Sequence, residues 1–539
     1  MSRKTLTIIL LFFSCSILVL MLSFNRGIKY KDVLINSDEL ENIKSGRKYS
    51  KKPLITELYF NNQKLFYDYG DASFYLSVID DDYSVSNSSI KYPESDVSIA
   101  IIEDTANKDK IANNIHDRII AYSDAEYYIY DLVYTTLPLM DINVSGDNES
   151  PSDHDKKMNL SIYDNDADII VRYREYEGTV RLRGGSTLKY PKKAFRLKLE
   201  INDIGVEKSK EEQISLLGIK EGKDYVLYPA YNDLEKIRNV FSSRLWYDGC
   251  AKNNVFGVNN GFYYRYVELF LNGHYWGLYA LGYQPDEDTE ELNKDDAEEN
   301  IYKKISWDDE LESYIYGDIG FPGYEIKSNE DEYNAWMPLK EFYYNLFENN
   351  DKETLLKIAD LDNSIDIMLF FSLIQGTDGP NGYHMKNVLM INKKYNSENK
   401  MIYAPWDMDI SWGNVWNSGS FNFTMDYHLS YDDNITMMYN NIVHYLLMDG
   451  DEETAEKTLN RYKELRNSKW SDENVSSILD EYEKDIFDSG AYLRDKDCWP
   501  NGSYENPAIK LNNYRKYVKS RLHYFDSHVE ELVNNEIGR

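Results

Sequence analysis

The chain has 539 residues, and 92 acidic against 60 basic side chains give it a formal net charge of −32. So acidic a protein excludes nucleic acid as its main partner, and a hydrophobic content of 42% excludes a disordered chain. The length allows two or three domains with substantial cores. The 48 tyrosines suit polar-surfaced sheets and carbohydrate contacts, or reflect a compositional bias that also favours Asn, Lys and Ile.

Arg3 and Lys4 precede TLTIILLFFSCSILVLMLSF (5–24), an uncharged run long enough to span a bilayer as a helix. No small-residue cleavage site ends it, so residues 1–30 are predicted to be a signal-anchor, with a cleaved signal peptide as the alternative. Either way the bulk of the chain is expected outside the cytoplasm, membrane-anchored or secreted. Beyond Cys15 only Cys250 and Cys498 remain, room for one disulfide at most, and no Cys/His zinc pattern is present.

From about 53 to 135 the chain reads as strands: LITELYFNNQKLFYDYG, SFYLSVIDDDYSV and VSIAIIED, divided by turn residues. A small immunoglobulin-like β-sandwich is expected over 50–135. The polar SGDNESPSDHDKK (145–157) is a long loop near the start of a larger domain, predicted over 136–535. There VRLRG (180–184) and AFRLKLE (194–200) alternate by twos and read as antiparallel neighbours. NDLEKIRNVFSSRLWYD (232–248) places Ile237, Val240, Phe241 and Leu245 on one helical face, with Asn232 or Asp233 as its cap. YRYVELFLNGHYWGLYAL (264–281) is a hairpin turning at Asn272-Gly273. The acidic PDEDTEELNKDDAEEN (285–300) reads as a solvated loop or helix start. From 330 onward helices dominate, apart from strands at NVLMI (387–391) and KMIYA (400–404).

Two segments of opposite charge carry the chemistry. Between Arg172 and Lys198 stand nine basic residues against only Glu175 and Glu177. At their centre, RLRGGSTLKYPKKAFRLK offers Gly184 and Gly185 for close backbone approach, Ser186 and Thr187 as hydroxyls, and Lys193 on the returning strand. Amides to cradle oxygens, followed by a point charge, suit a phosphate site. A basic surface hairpin would read the same way.

The acidic counterpart lies far along the chain. Asp378 follows the helix-like IDIMLFFSLIQ, Asn387 opens the next strand, and Asp407 and Asp409 stand in YAPWDMDISWG between Trp406 and Trp412. A core strand would not tolerate paired aspartates, and a solvated turn does not need the tryptophans. A bound cation resolves the conflict. Asp after a helix, Asn at the next strand and Asp beyond the second strand is also the order of protein-kinase catalytic machinery. Magnesium needs only one or two carboxylates beside phosphate oxygens.

In order, LPLMDINV, RLRGGST with PKKAFRLKL, YNDLEKIRN, VELFLNGHYWGLYAL and APWDMDISWG resemble the CotH-like kinases, an atypical kinase family named for a spore-coat protein. The resemblance covers about residues 136 to 530. It implies an α+β fold class: a divergent protein-kinase-like domain, preceded here by the small β-sandwich and an N-terminal transmembrane helix. The implied activity is transfer of the ATP γ-phosphate to Ser/Thr of secreted or surface proteins, with Mg²⁺ or Mn²⁺. By position, Arg183, Gly184, Gly185, Ser186 and Lys193 would contact the nucleotide, and Asp378 would be the catalytic aspartate. Asp407 would lead the metal ligands, supported by Asn387 and Asp409. Glu235 is the candidate acidic partner of Lys193. Gln284 in LGYQP stands where the family has a glutamate.

The alternative is a catalytically silent surface or spore-coat scaffold that keeps the fold and binds a partner, with carbohydrate as a ligand class for the tyrosine-rich β-domain. A metal-dependent hydrolase built on Asp407 and Asp409 lacks a histidine cluster and leaves the basic hairpin unexplained.

Overall fold

The structure, a computed structural model, describes residues 28–538 apart from 62, 79–87, 103–107, 147–149, 165, 166, 168–171, 201–214, 306–320, 322, 329–332, 377, 381–383, 418–421 and 426–436. The predicted membrane span at 5–24 lies outside the described residues. Among those residues no helix is long and apolar enough to cross a membrane.

The expected immunoglobulin-like sandwich is corrected first. Such a sandwich is antiparallel. Here Glu126–Thr135 pairs in parallel with Ser73–Ser77, and Leu34–Ile35 in parallel with Ser98–Ile102, within one seven-stranded sheet. A separate four-stranded sheet includes Tyr59–Phe60 and Ser89–Lys91. The large sheet is covered on both faces. Ile101, Ile119 and Ala121 join one core, while Ala100, Ile102 and Ile120 pack with Leu40 of the helix Ser37–Lys44. Burial on both faces explains why VSIAIIED and RIIAY are continuously apolar and do not alternate.

Where an α+β, divergent protein-kinase-like domain is expected from residue 136, the larger half instead begins with a closed seven-stranded barrel. Its strands are β1 (Leu139–Val144), β2 (Lys156–Tyr163), β3 (Tyr173–Arg183), β4 (Ala194–Glu200), β5 (Asp224–Tyr228), β6 (Tyr264–Leu271) and β7 (His274–Tyr283). They run in the order β1-β2-β3-β4-β5-β7-β6. A parallel pairing of β1 with β6, from Leu139↔Glu268 to Ile142↔Leu271, closes the ring and removes both edges. Helix α1 (Arg238–Gly249) links β5 to β6.

Alternation along the barrel strands serves two cores. Met140, Leu160, Val180 and Leu197 fill the main one. Leu139, Tyr163 and Phe270 face the other way and meet Phe66, Tyr75 and Val133 of the N-terminal sheet. The Phe270 and Tyr75 rings meet edge to face at 5.0 Å. Burying a side chain of Phe270's size contributes about 1.5–3 kcal/mol, so the two units are tied by packing.

The β6–β7 turn uses left-handed φ at Asn272 (53°) and Gly273 (70°), as a two-residue hairpin turn demands. Farther along, Gly277 has φ 105°, and a Cβ there would collide with the Asp495 carboxylate of the helix Ala491–Cys498. The second glycine of the Asn-Gly-x-Tyr-x-Gly pattern is therefore a docking point for a helix more than 200 residues away.

A four-stranded sheet follows the barrel and includes β8 (Asn300–Lys304), β9 (Val388–Tyr395) and β10 (Glu398–Pro405). The acidic tract leading into β8 is not simply solvated. Glu290 is 2% exposed, and its Oε2 has no hydrogen-bond partner. Burial pushes its pKa up to about 7, against the opposing charges of Lys220 and Lys393. The folded state then holds a proton that the unfolded chain has already lost between about pH 4.5 and 7. Stability is expected to fall as pH rises through that window. In Glu290→Gln the slope should flatten, which thermal unfolding at pH 5 and pH 8 would check.

Candidate active site

Helix α2 (Leu361–Ile374) is mostly apolar, and each residue from Asn363 to Ile374 is buried, so it forms the axis of the helical half. Asp360 caps its start, accepting from the Asn363 N–H at 2.8 Å. At its end Gln375 takes a left-handed φ of 54°, which stops the helix shortly before Asp378. The β9–β10 hairpin then sets Val388 opposite Pro405. That register brings Asn387 beside Trp406, whose N–H donates to the Asn387 carbonyl at 3.0 Å.

Asn387 and Asp407 both hold left-handed φ, 59° and 54°, which Asn and Asp tolerate better than most residues. Trp412 does so too, at 49°, where a bulky side chain is strained. Surrounding contacts over-determine it. The Trp412 N–H donates to the Ile374 carbonyl at 2.9 Å, and its indole N–H donates to Ser242 Oγ at 2.9 Å. From α1, Asn239 Oδ1 accepts the Met408 N–H at 3.0 Å. Thus α1 and α2 together clamp the segment that carries Asp407 and Asp409.

The charges converge on one cleft of about 920 Å³. Asp378, Asn387, Asp407 and Asp409 line it, and so do Arg183, Gly184 and Gly185. Asn387 donates its amide to both the carbonyl and the Oδ2 of Asp378, each at 2.9 Å. Lys386 Nζ stands 3.4 Å from Asp378 Oδ1. Burial raises the Asp378 pKa above the usual carboxylate range; Lys386 opposes this and Asp407 adds to it. Asp409 is raised much further, by burial first and then by the charges of Asp407 and Asp378.

Carboxylates gathered so closely favour a cation among them. Among the described residues no three His, Cys, Asp or Glu side chains form a metal-binding group. A partial set still suits magnesium, which leaves several positions to phosphate oxygens and water. Asp407 and Asp409 fit that requirement. The Asn387 amide nitrogen is engaged with Asp378, which leaves its side-chain carbonyl oxygen as the donor it can offer a cation.

The basic hairpin contributes differently from expectation. A Cβ at Gly184, with φ 119°, would collide with Thr187 Oγ1, whereas Gly185 has open space. Ser186 opens the short turn Ser186–Lys189. Lys193 does not line the cleft, and its ammonium donates to the Leu188 carbonyl on the exterior. Its neighbour Lys192 points inward and pairs with Asp495 at 2.7 Å, both side chains fully buried. Glu235 pairs with Arg238 at 2.6 Å, not with Lys193. Cys250 and Cys498 are both free.

Sequence reasoning missed Lys303, Lys386 and Asn239, all of which line the cleft. Lys386 was in plain view one residue before Asn387. The signal for Lys303 was faint: a Lys-Lys pair on a short strand behind the acidic tract.

A family model described as CotH kinase protein matches residues 180–525, well over half of the chain. The chain belongs to the CotH kinase family, a family of kinase-like proteins. The match begins within β3, so the first two strands of the closed barrel lie ahead of it. No curated protein matches the chain.

Proposed function

We propose that this protein is an ATP-dependent protein kinase that phosphorylates Ser/Thr hydroxyls of secreted or surface proteins. The observation that carries the reading is the meeting, in one cleft, of a basic glycine-bearing turn with Asp378, Asn387, Asp407 and Asp409. In phosphoryl transfer the protein's work is positioning and charge stabilisation, and these residues supply both.

Asp378, hydrogen-bonded by Asn387 and approached by Lys386, is held to orient the acceptor hydroxyl and take its proton. Its raised pKa improves it as a base. Asp407 and Asp409, with the Asn387 carbonyl oxygen, would hold a magnesium or manganese ion. Such an ion, when bound, offsets charge on the transferring phosphates. Arg183 and the Gly184 turn face the same space and suit phosphate oxygens.

The test is transfer from γ-labelled ATP to the protein itself and to generic acidic and basic substrates, with Mg²⁺ or Mn²⁺, beside Asp378→Asn. Metal-dependent labelling that falls by at least about 10²-fold in the variant supports the reading. Absence of nucleotide binding and transfer in the wild type would sink it and favour the scaffold alternative.

A further inference from the structure

We propose that Lys303, acting with Arg183, is the cation that grips the nucleotide phosphates, and that Lys193 has no part in this. The inference rests on the phosphotransfer reading above and assigns the residue that sequence pattern placed elsewhere.

Register puts Lys303 at the site. β8 pairs antiparallel with β9, with Lys303 opposite Leu389, two residues beyond Asn387. The Lys303 ammonium lies 5.5 Å from the centroid of the Trp406 ring, and the Arg183 guanidinium lies 5.1 Å from the same centroid. The indole attracts both cations and holds them beside the residue that precedes Asp407. Trp406 is 7% exposed, so the platform itself is fixed.

Neither cation is committed to the protein. Among the described residues the side chain of neither Lys303 nor Arg183 donates a hydrogen bond. The carboxylate nearest Lys303 is Glu325 at 3.9 Å, beyond hydrogen-bond distance, and Lys327 sits closer to that carboxylate. An ammonium and a guanidinium offer eight donors between them by their chemistry. The Lys303 side chain is 22% exposed, so these donors face the cleft and are open to an anion that enters it. Lys303, Arg183 and Asp407 line that one cleft, so the anion would meet both cations and a carboxylate-bound divalent ion together. A triphosphate has that chemistry.

Lys193 has the opposite character. Its half-buried side chain lies outside the cleft and already donates to the Leu188 carbonyl. Lys386 is also in the cleft but faces Asp378, which assigns it to the acceptor end.

The experiment measures Mg²⁺·ATP binding to the full-length protein by titration calorimetry, comparing wild type, Lys303→Met and Lys193→Met. Losing a charged hydrogen-bond partner is expected to weaken binding about 10- to 100-fold in Lys303→Met. Lys193→Met should remain within about twofold of wild type. A second arm uses the wild type alone, so it does not depend on a variant folding: Mg²⁺·ATP should protect Lys303, and not Lys193, from amine acetylation read by peptide mass spectrometry. Protection of Lys193 with weakened binding in its variant, and no change at Lys303, would overturn the proposal while leaving the kinase reading intact. Absence of ATP binding by the wild type would overturn both.

Discussion

Asp407→Asn is expected to lower phosphoryl transfer by about 10³-fold or more while leaving the fold intact. Asp407 is exposed to the cleft and among the described residues makes no ion pair, and asparagine tolerates its left-handed φ of 54°. In the proposed function, removing the carboxylate would remove the leading donor for a divalent ion. Charge stabilisation of about 4 kcal/mol by such an ion corresponds to about 10³ in rate. Labelling rates at saturating ATP over a range of Mn²⁺ concentrations, beside thermal unfolding curves, would separate the metal role from a folding defect. Excess metal should restore little. Wild-type rates in a folded Asp407→Asn protein would remove the metal role from this residue.

The second large effect is on stability. Asp495 accepts from Lys192 Nζ at 2.7 Å and from the Leu278 N–H at 2.9 Å through one oxygen. Through the other it accepts from the Tyr504 hydroxyl at 2.9 Å. Lys192 also donates to the carbonyls of Pro229 and Leu278, at 2.8 and 2.6 Å. One buried pair thus ties β7, the start of β4 and the helix Ala491–Cys498 together. Asp495→Ala leaves the Lys192 ammonium buried without a counter-charge, and breaking such a pair costs about 3–5 kcal/mol. Denaturant titration should show that loss. In Asp495→Ala/Lys192→Met a good part of it should return, because the orphaned charge is gone. Strictly additive losses in the double variant would show that the pair is not the cause. Pro229 lines the cleft, so the single variant should also weaken nucleotide binding even where it still folds.

Much of the candidate site was legible in the chain because its chemistry is local. Asp407 and Asp409 between Trp406 and Trp412 set a polar demand inside an apolar segment, which few structures satisfy without a cation. Asp378 and Asn387 were legible as a helix end and a strand start, and hydrogen bonding between them follows from the hairpin that begins there. The Asn272-Gly273 turn was equally plain, since left-handed φ at both positions narrows the choice of residues.

Other features depend on partners far apart in the chain. Alternation in AFRLKLE shows that the strand has a buried face but not which of two adjacent lysines turns inward. Asp495, some 300 residues away, decided it for Lys192 and left Lys193 outside. Closure of the barrel rests on a parallel pairing of Leu139–Val144 with Tyr264–Leu271, and periodicity carries no record of such a pairing. Burial on both faces gives the N-terminal strands apolar runs that, read alone, suit an immunoglobulin-like sandwich equally well. Lys303 became a cleft residue only because β8 pairs with β9 beside Trp406. The sequence by itself determined where acidic groups crowd between tryptophans; tertiary structure decided which basic groups face them, because long-range strand register sets where each side chain points.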